Sequence, residues 1–296
     1  MLKYKSDIIT VLYMIIFTTL LVVHLTLDEF NVFLFIGQMI MACTSFAIAH
    51  NHNHVAIWKW PFLNKLTDYW LTVFYGFPPF VWKPTHNMNH HVYNNTKEDF
   101  TVTWRLSEKN NLLTLLSYPI ISAYYQQTPI VGFLKKAWAK SKLTWLYYIS
   151  QYMVWGGVLA TAFYFNWQKA IYCILIPQQF SVQFVLMVNY MQHVHTDEKS
   201  KYNHSRNFVG LGPRLLLNNG FHTVHHDSMN MHWSELPAAH AKIADKIDPS
   251  LNNQSIIGYM FKTYILSIFI PRFRSKSFRL ERIKQEKAEG LAPETS

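Results

Sequence analysis

The sequence predicts an all-α integral membrane protein with about four transmembrane helices, interfacial helices between them and a histidine-rich cap on the cytosolic side. Three observations lead there. Half of the 296 residues are hydrophobic and 16% are aromatic, a composition suited to contact with lipid. Four apolar runs approach the ~20 residues that cross hydrocarbon as a helix. Nine of the 15 histidines fall in three short groups where apolar sequence gives way to polar sequence. A mean hydropathy near zero excludes a chain that is membrane throughout, so a substantial polar portion lies outside the bilayer.

After a short basic start, Lys3 and Lys5, the run from Ile8 to Leu27 is the first span. It lacks a small-residue cleavage site and is therefore a retained helix rather than a signal peptide. Asp28 and Glu29 form an acidic turn, and Phe30 to Ala49 crosses back and delivers the chain to His50. Residues 50–142 carry Lys59, Lys65, Lys83, Lys97, Arg105, Lys109, Lys135, Lys136, Lys140 and Lys142, the positive density of cytoplasmic segments. Their apolar stretches, Leu66 to Trp82 and Leu112 to Tyr125, are interrupted by Gly76-Phe77-Pro78-Pro79 and by Pro119 and read as interfacial. Leu143 to Phe165 and Ala170 to Met191 form a membrane hairpin around Asn166-Trp167-Gln168-Lys169. The polar tract that follows leads to Ile256–Pro271, one more interfacial helix. Residues 1–271 thus make a single domain, and 272–296 a charged tail, a solvated helix fading into disorder.

An even number of spans, with the Lys and Arg bias, places both termini and every histidine group on the cytoplasmic face. That face is the inner-membrane surface in a bacterium and the endoplasmic reticulum surface in a eukaryote. The net charge of +10 is spread among the apolar runs without a basic stripe, which excludes a nucleic-acid binder. Cys43 and Cys173 lie inside apolar runs and are packing residues rather than a disulfide or zinc knuckle.

The histidine groups are His50-Asn51-His52-Asn53-His54, His86 to His91, and His222 to His226. On an α-helix, ~100° per residue sets His50 with His54, His86 with His90, and His222 with His225 and His226 on shared faces. Each pair can chelate one ion. The doublets His90-His91 and His225-His226 point ~100° apart and reach two different metals, so the pattern asks for a two-metal centre. Asn189 and His193 share a helix face, which makes His193 a further ligand and Asn189 a possible one, directly or through water. His52 points away from His50 and His54 and is left out. His195, His204, His232 and His240 suit supporting or substrate-facing roles, and His24, inside the first span, is assigned no chemistry. Nine imidazoles exceed the needs of two closed zinc sites and fit two redox metals with open positions. Asp99, Asp197 and Asp227 follow the groups closely enough to accept the second ring N–H of a ligand. Trp82, Lys83, Arg206 and Asn207 flank the groups and are candidates to hold a substrate head group.

At these residues the sequence resembles the membrane-bound fatty acid desaturase superfamily. That superfamily carries three histidine boxes of the forms His-x(3–4)-His, His-x(2–3)-His-His and His/Gln-x(2–3)-His-His. His50…His54, His86…His90-His91 and His222…His225-His226 match in order, with the hairpin between the second and third. The resemblance implies a di-iron centre, with His193 matching a further ligand before the third box and Asn189 a neighbouring asparagine. It implies that the iron pair uses O2 and two external electrons to abstract hydrogen from an unactivated C–H bond of an acyl chain, giving an alkene. With no haem-binding His-Pro-Gly-Gly segment in the sequence, the electrons would come from a separate ferredoxin or b-type cytochrome, docked by exposed Lys and Arg. A tunnel lined by aromatic residues of Leu66–Trp82 and of the fourth span would fix which carbon reacts. Rival readings are an acyl or alkyl hydroxylase, a ketolase or a chain-end oxidative decarboxylase on the same boxes. More remote is a metal transporter, which would need more polar residues inside the spans.

Overall fold

The structure, a computed structural model, describes residues 1–290 and is mostly helical. The principal helices are α1 (Ile8–Thr26), α2 (Val32–His54), α3 (Pro61–Phe74), α4 (Leu112–Lys140), α5 (Lys142–Phe165), α6 (Trp167–His193), α7 (His222–Asp227), α8 (Ile256–Phe269) and α9 (Phe278–Ala288). The chain divides into two compact units: Met1–Pro84 with Thr128–Val185, and Thr85–Gln127 with the chain from Leu186 on. Residues 291–296, the end of the tail for which disorder is expected, lie outside the described residues.

In the first unit α1 and α2 pack on each other. Phe17 is buried in a T-shaped contact with Phe74, ring centroids 4.9 Å apart, and Phe74 stacks on Trp70 at 4.4 Å. Such pairs add ~1 kcal/mol each beyond the area they bury. A helix in lipid must satisfy its polar groups internally, and several polar side chains of these helices pair in that way. His24 and Gln38 share a 2.6 Å hydrogen bond, and Gln38 donates its amide to the Cys173 carbonyl. Ser45 and Ser181 meet at 3.0 Å, and Trp70 donates to Thr18. His24, assigned no chemistry from the sequence, is thus fully buried and bonded to Gln38. Cys173 is buried, and both cysteines are free thiols.

The break expected within Leu66–Trp82 appears at Gly76-Phe77-Pro78-Pro79. α3 ends at Phe74, and Gly76 takes a left-handed φ of +87°. A Cβ on Gly76 would lie 2.4 Å from that of Gln178, whose amide donates to the Val73 carbonyl at 2.6 Å. Only glycine meets both demands.

One expectation is corrected here. Pro119 does not interrupt the chain: α4 runs unbroken from Leu112 to Lys140 through both Pro119 and Pro129. Proline removes one backbone donor, and a helix of 29 residues retains enough of its ladder to absorb two such losses. Three helices, Lys5–Thr26, Val32–His54 and Trp167–His193, are long and apolar enough to cross a membrane. α5 has the length, but Tyr147, Tyr148, Ser150, Gln151, Tyr152 and Trp155 dilute it.

The second unit is built from short elements. Asn207–Phe208 and Asn252–Asn253 pair as a two-residue parallel ladder. The tail helix α9 is fastened rather than adrift: Arg282 pairs with Asp197 and Glu198 at 2.7 and 2.8 Å, and Arg279 pairs with Glu108 and covers the Trp104 ring at 3.9 Å.

Candidate metal centre

The second histidine box lies on a π-helix, Lys83–His90. A π-turn closes i to i+5 rather than i to i+4, so residues five apart, not four, come into line. His86 therefore faces His91, Nε2 to Nε2 at 3.1 Å, while His90, its ring stacked on His86 at 5.2 Å, points Nε2 at His193. The pairing of His86 with His90 expected from α-helical spacing is corrected accordingly. The third box lies on α7, an ordinary α-helix, where His222 and His226 bring their Nε2 atoms to 3.2 Å. His225 diverges from both, another departure from the expected shared face.

Two sets of imidazoles result within the second unit. In the first, His90, His193, His222 and His226 offer ring nitrogens that all lie within 4.8 Å of one another. The Nε2 atoms of His90 and His193 are 3.1 Å apart, and those of His193 and His222 2.8 Å. His86, His91 and His225 make the second set, within the same limit. Its neighbour is close, since the His91 and His226 rings have centroids 4.5 Å apart. The doublets divide as expected, one member to each set.

Nitrogens about 3 Å apart fit a shared ion well. Ligands at ~2.0–2.1 Å from a metal and roughly 90–105° apart sit ~2.9–3.3 Å from one another. Several neutral imidazoles also cannot satisfy one another around a common point, because each has a single N–H to donate. Burial, reinforced by the neighbouring His91, His222 and His193 rings, pushes the His226 imidazole well below its ordinary pKa. It is held neutral, the form that ligates.

Asp99 supplies the outer partner. It is fully buried, and its Oδ2 lies 2.7 Å from Nδ1 of His90. The Thr101 N–H and hydroxyl both donate to Oδ1 at 2.7 Å, and the Asn95 N–H donates to Oδ2. Burial alone would raise this carboxyl. The His90 ring and the Thr101 hydrogen bonds outweigh it and hold Asp99 below the usual carboxylate range. An ionised Asp99 fixes the His90 proton on Nδ1 and leaves Nε2 free to ligate.

Asparagines hold the loop behind the second box. Asn94 and Asn95 adopt left-handed φ of 39° and 67°, which asparagine tolerates better than most residues. Asn95 donates to the His193 carbonyl and accepts from Thr103, and Asn89 bridges Glu98 and Phe100. On the third-box side Asn207 accepts the Thr223 N–H and donates to the Thr223 hydroxyl, both at 2.9 Å. Gly220 permits the turn into α7, because a Cβ there would fall 2.0 Å from the Phe208 carbonyl oxygen.

Asn189 donates its amide to the Tyr118 hydroxyl, which in turn donates to the Thr101 carbonyl. Asp197 is engaged by Arg282, and Asp227 lies 3.4 Å from His204, so neither meets a box histidine as Asp99 does. Arg206 is buried and gives Nη1 to the carbonyls of Met191 and Val194 at the end of α6, while Asn207 is spent on Thr223. Asn207 is thus committed to Thr223, whereas Arg206 keeps its Nε without a hydrogen-bond partner. His195 bonds to Ser275 and to the Glu108 carbonyl, and His232 to Ser234.

In the first unit, His50 and His54 sit edge to face with centroids 4.9 Å apart, and His50 directs Nδ1 at Asn51. His52 is turned away, accepting from Ile57 and lying 3.6 Å from Asp68. Trp82 is buried against His50 and Tyr75, and Lys83 lies over the Tyr148 ring.

An open cleft of about 470 Å³ runs along His91 and His226 in the second unit, with Asn87, Val92 and Asp227 in its walls. The site thus combines seven converging imidazoles, a buried carboxylate behind one of them and access from outside. No curated protein and no solved structure matches the chain. A family model described as fatty acid desaturase matches residues 30–255, a stretch that contains all three boxes and His193. Apolar helices able to cross a membrane, the convergent histidines and that match together establish that the chain belongs to the fatty acid desaturase family.

Proposed function

We propose that the chain is an O2-dependent di-iron desaturase that introduces a double bond into a lipid acyl chain. The observation that carries this reading is the division of the box histidines into two adjacent all-imidazole sets. His90, His193, His222 and His226 would hold one iron. His86, His91 and His225 would contribute to holding the other, and the family resemblance implies that His50 and His54 of the first box also serve as iron ligands. When bound, the iron pair supplies oxidising power that no side chain has. In balance, the acyl chain gives up two hydrogens, and O2, two external electrons and two protons account for two waters.

The chain's own residues orient and insulate. Asp99 keeps the His90 proton on Nδ1, and Tyr118, with Asn189 behind it, steadies the Thr101 that orders Asp99. Burial of His90, His193, His222 and His225 excludes bulk water from the centre. Electrons would come from a ferredoxin or b-type cytochrome, and the Lys and Arg bias favours a cytoplasmic active site. A metal-transport reading has little support, because His24, Gln38 and Gln178 inside the spans are tied to one another and to backbone carbonyls.

Mass analysis of lipids from cells with and without the chain tests the proposal. Acyl chains two hydrogens lighter support it. Oxygen gain would indicate a hydroxylase or ketolase, and a terminal alkene one carbon shorter a decarboxylase; either outcome, or an unchanged profile, overturns it.

A further inference from the structure

A second ligand site is suggested by the C-terminal part of the second unit, where a cleft of about 800 Å³ is walled by Arg206, Lys262, Arg272, Arg274 and Lys276. Asp248 and Glu281 also line it, so cations outnumber acids. Among the described residues, Lys262, Arg272, Arg274 and Lys276 have no ion-pair partner. Arg206 differs from these exposed side chains. It is 2% exposed, lies against the Tyr259 ring, and keeps a buried Nε with no hydrogen-bond partner. A buried guanidinium with an unspent donor in the wall of a basic cleft suits an anion with several acceptor oxygens.

The helix beside the cleft narrows the choice of anion. α8 exposes Ile257, Phe261, Ile265, Ile268 and Phe269, with Ile257 and Phe269 at 76% and 77%. An apolar stripe next to unpaired Lys and Arg is the pattern of a helix lying in a lipid surface rich in anionic head groups. We propose that this cleft binds the phosphate of an anionic phospholipid whose acyl chains lie along the exposed face of α8. The site is separate in composition from the histidine sets, and it ties the second unit to the membrane independently of the spanning helices.

Native mass spectrometry of the full chain in neutral detergent tests the assignment, with short-chain phosphatidylglycerol, short-chain phosphatidylcholine and inorganic phosphate as probes. Phosphatidylglycerol should be retained preferentially. Reversing two cations together, Lys262→Glu with Arg274→Glu, should weaken its retention ~tenfold or more and leave phosphatidylcholine unchanged. The milder Lys262→Gln should show a smaller loss in the same direction. Equal retention of the two lipids, or no change in the variants, would overturn the proposal. Retention of inorganic phosphate without phosphatidylglycerol would assign the cleft to a soluble phosphate ligand and reject the lipid. Iron content, measured on the same samples, should match the wild type; failure of the desaturase reading would appear there and in the lipid profile, not in this lipid preference.

Discussion

The second and third histidine boxes carry nearly the same pattern, a histidine followed a few residues on by a doublet, yet they fold on different helices. Lys83–His90 is a π-helix, and His222–Asp227 is an α-helix. The extra residue in the second box is absorbed by the wider turn, so that His86 meets His91, while in the third box His222 meets His226. The outcome is reciprocal. The second box gives two nitrogens to one set and one to the other, and the third box does the reverse. Each doublet straddles the two sets, and helix type decides which member goes where.

The sharpest way to break this comparison is to remove one doublet member at a time. His90→Ala and His91→Ala should each abolish product formation, and each should lower bound iron by half or more, because they strike different sets. Equal and minor iron loss in both would mean the doublet does not straddle two ions.

The next effect concerns the carboxylate behind the second box, Asp99. Asp99→Asn should cost ~10–100-fold in iron affinity or activity, the usual consequence of losing a carboxylate behind a ligating histidine. Asp197→Asn, which disturbs only the ion pairs to α9, should leave iron content unchanged. On the third-box side the support is steric. Gly220→Ala should destabilise the fold by at least ~1–3 kcal/mol, read as a lower unfolding temperature together with iron loss, because the Phe208 carbonyl must move.

Stability of the iron-free protein should also fall as pH drops. His226 has a folded-state pKa held below its ordinary value near 6.5, so the unfolded chain takes up that proton first. The loss should therefore begin as pH falls through about 6.5. Asp99, whose folded pKa is also depressed, adds its loss only below about pH 4. Thermal unfolding between pH 7.5 and 5 measures the first part, and His226→Ala should flatten it. The smallest effect is expected at the tail: Arg282→Ala should cost ~1 kcal/mol or less without touching iron.

Much of the site was legible in the sequence because imidazole clusters are rare and their spacing constrains which residues can converge. The placement of His193 beside the box histidines agrees with the reading of the helix face it shares with Asn189, that of Asp99 with its nearness to the second box, and that of His52 with helical phase. Less was legible where a choice depended on backbone form. No residue in Lys83–His90 announces a π-turn, so the partner of His86 came out one position short. A sequence shows that Arg206 and Asn207 carry polar groups, not which carbonyl or hydroxyl each one meets. Asn95, Thr101 and Thr223 went unnoticed for the same reason, although the preference of asparagine for tight turns is a signal that could have pointed to Asn94-Asn95. Pro119 suggested a break that a long helix tolerated, and the paired charges of α9 lie too far apart in sequence for their docking to be visible.

The central claim is that the box histidines hold two irons side by side. Iron quantification of the purified chain, combined with Mössbauer spectroscopy of the wild type and His91→Ala, tests it most directly. The account predicts two coupled irons per chain in the wild type and an uncoupled remainder in the variant. A single magnetically isolated iron in the wild type, or an unaltered pair in the variant, would contradict it.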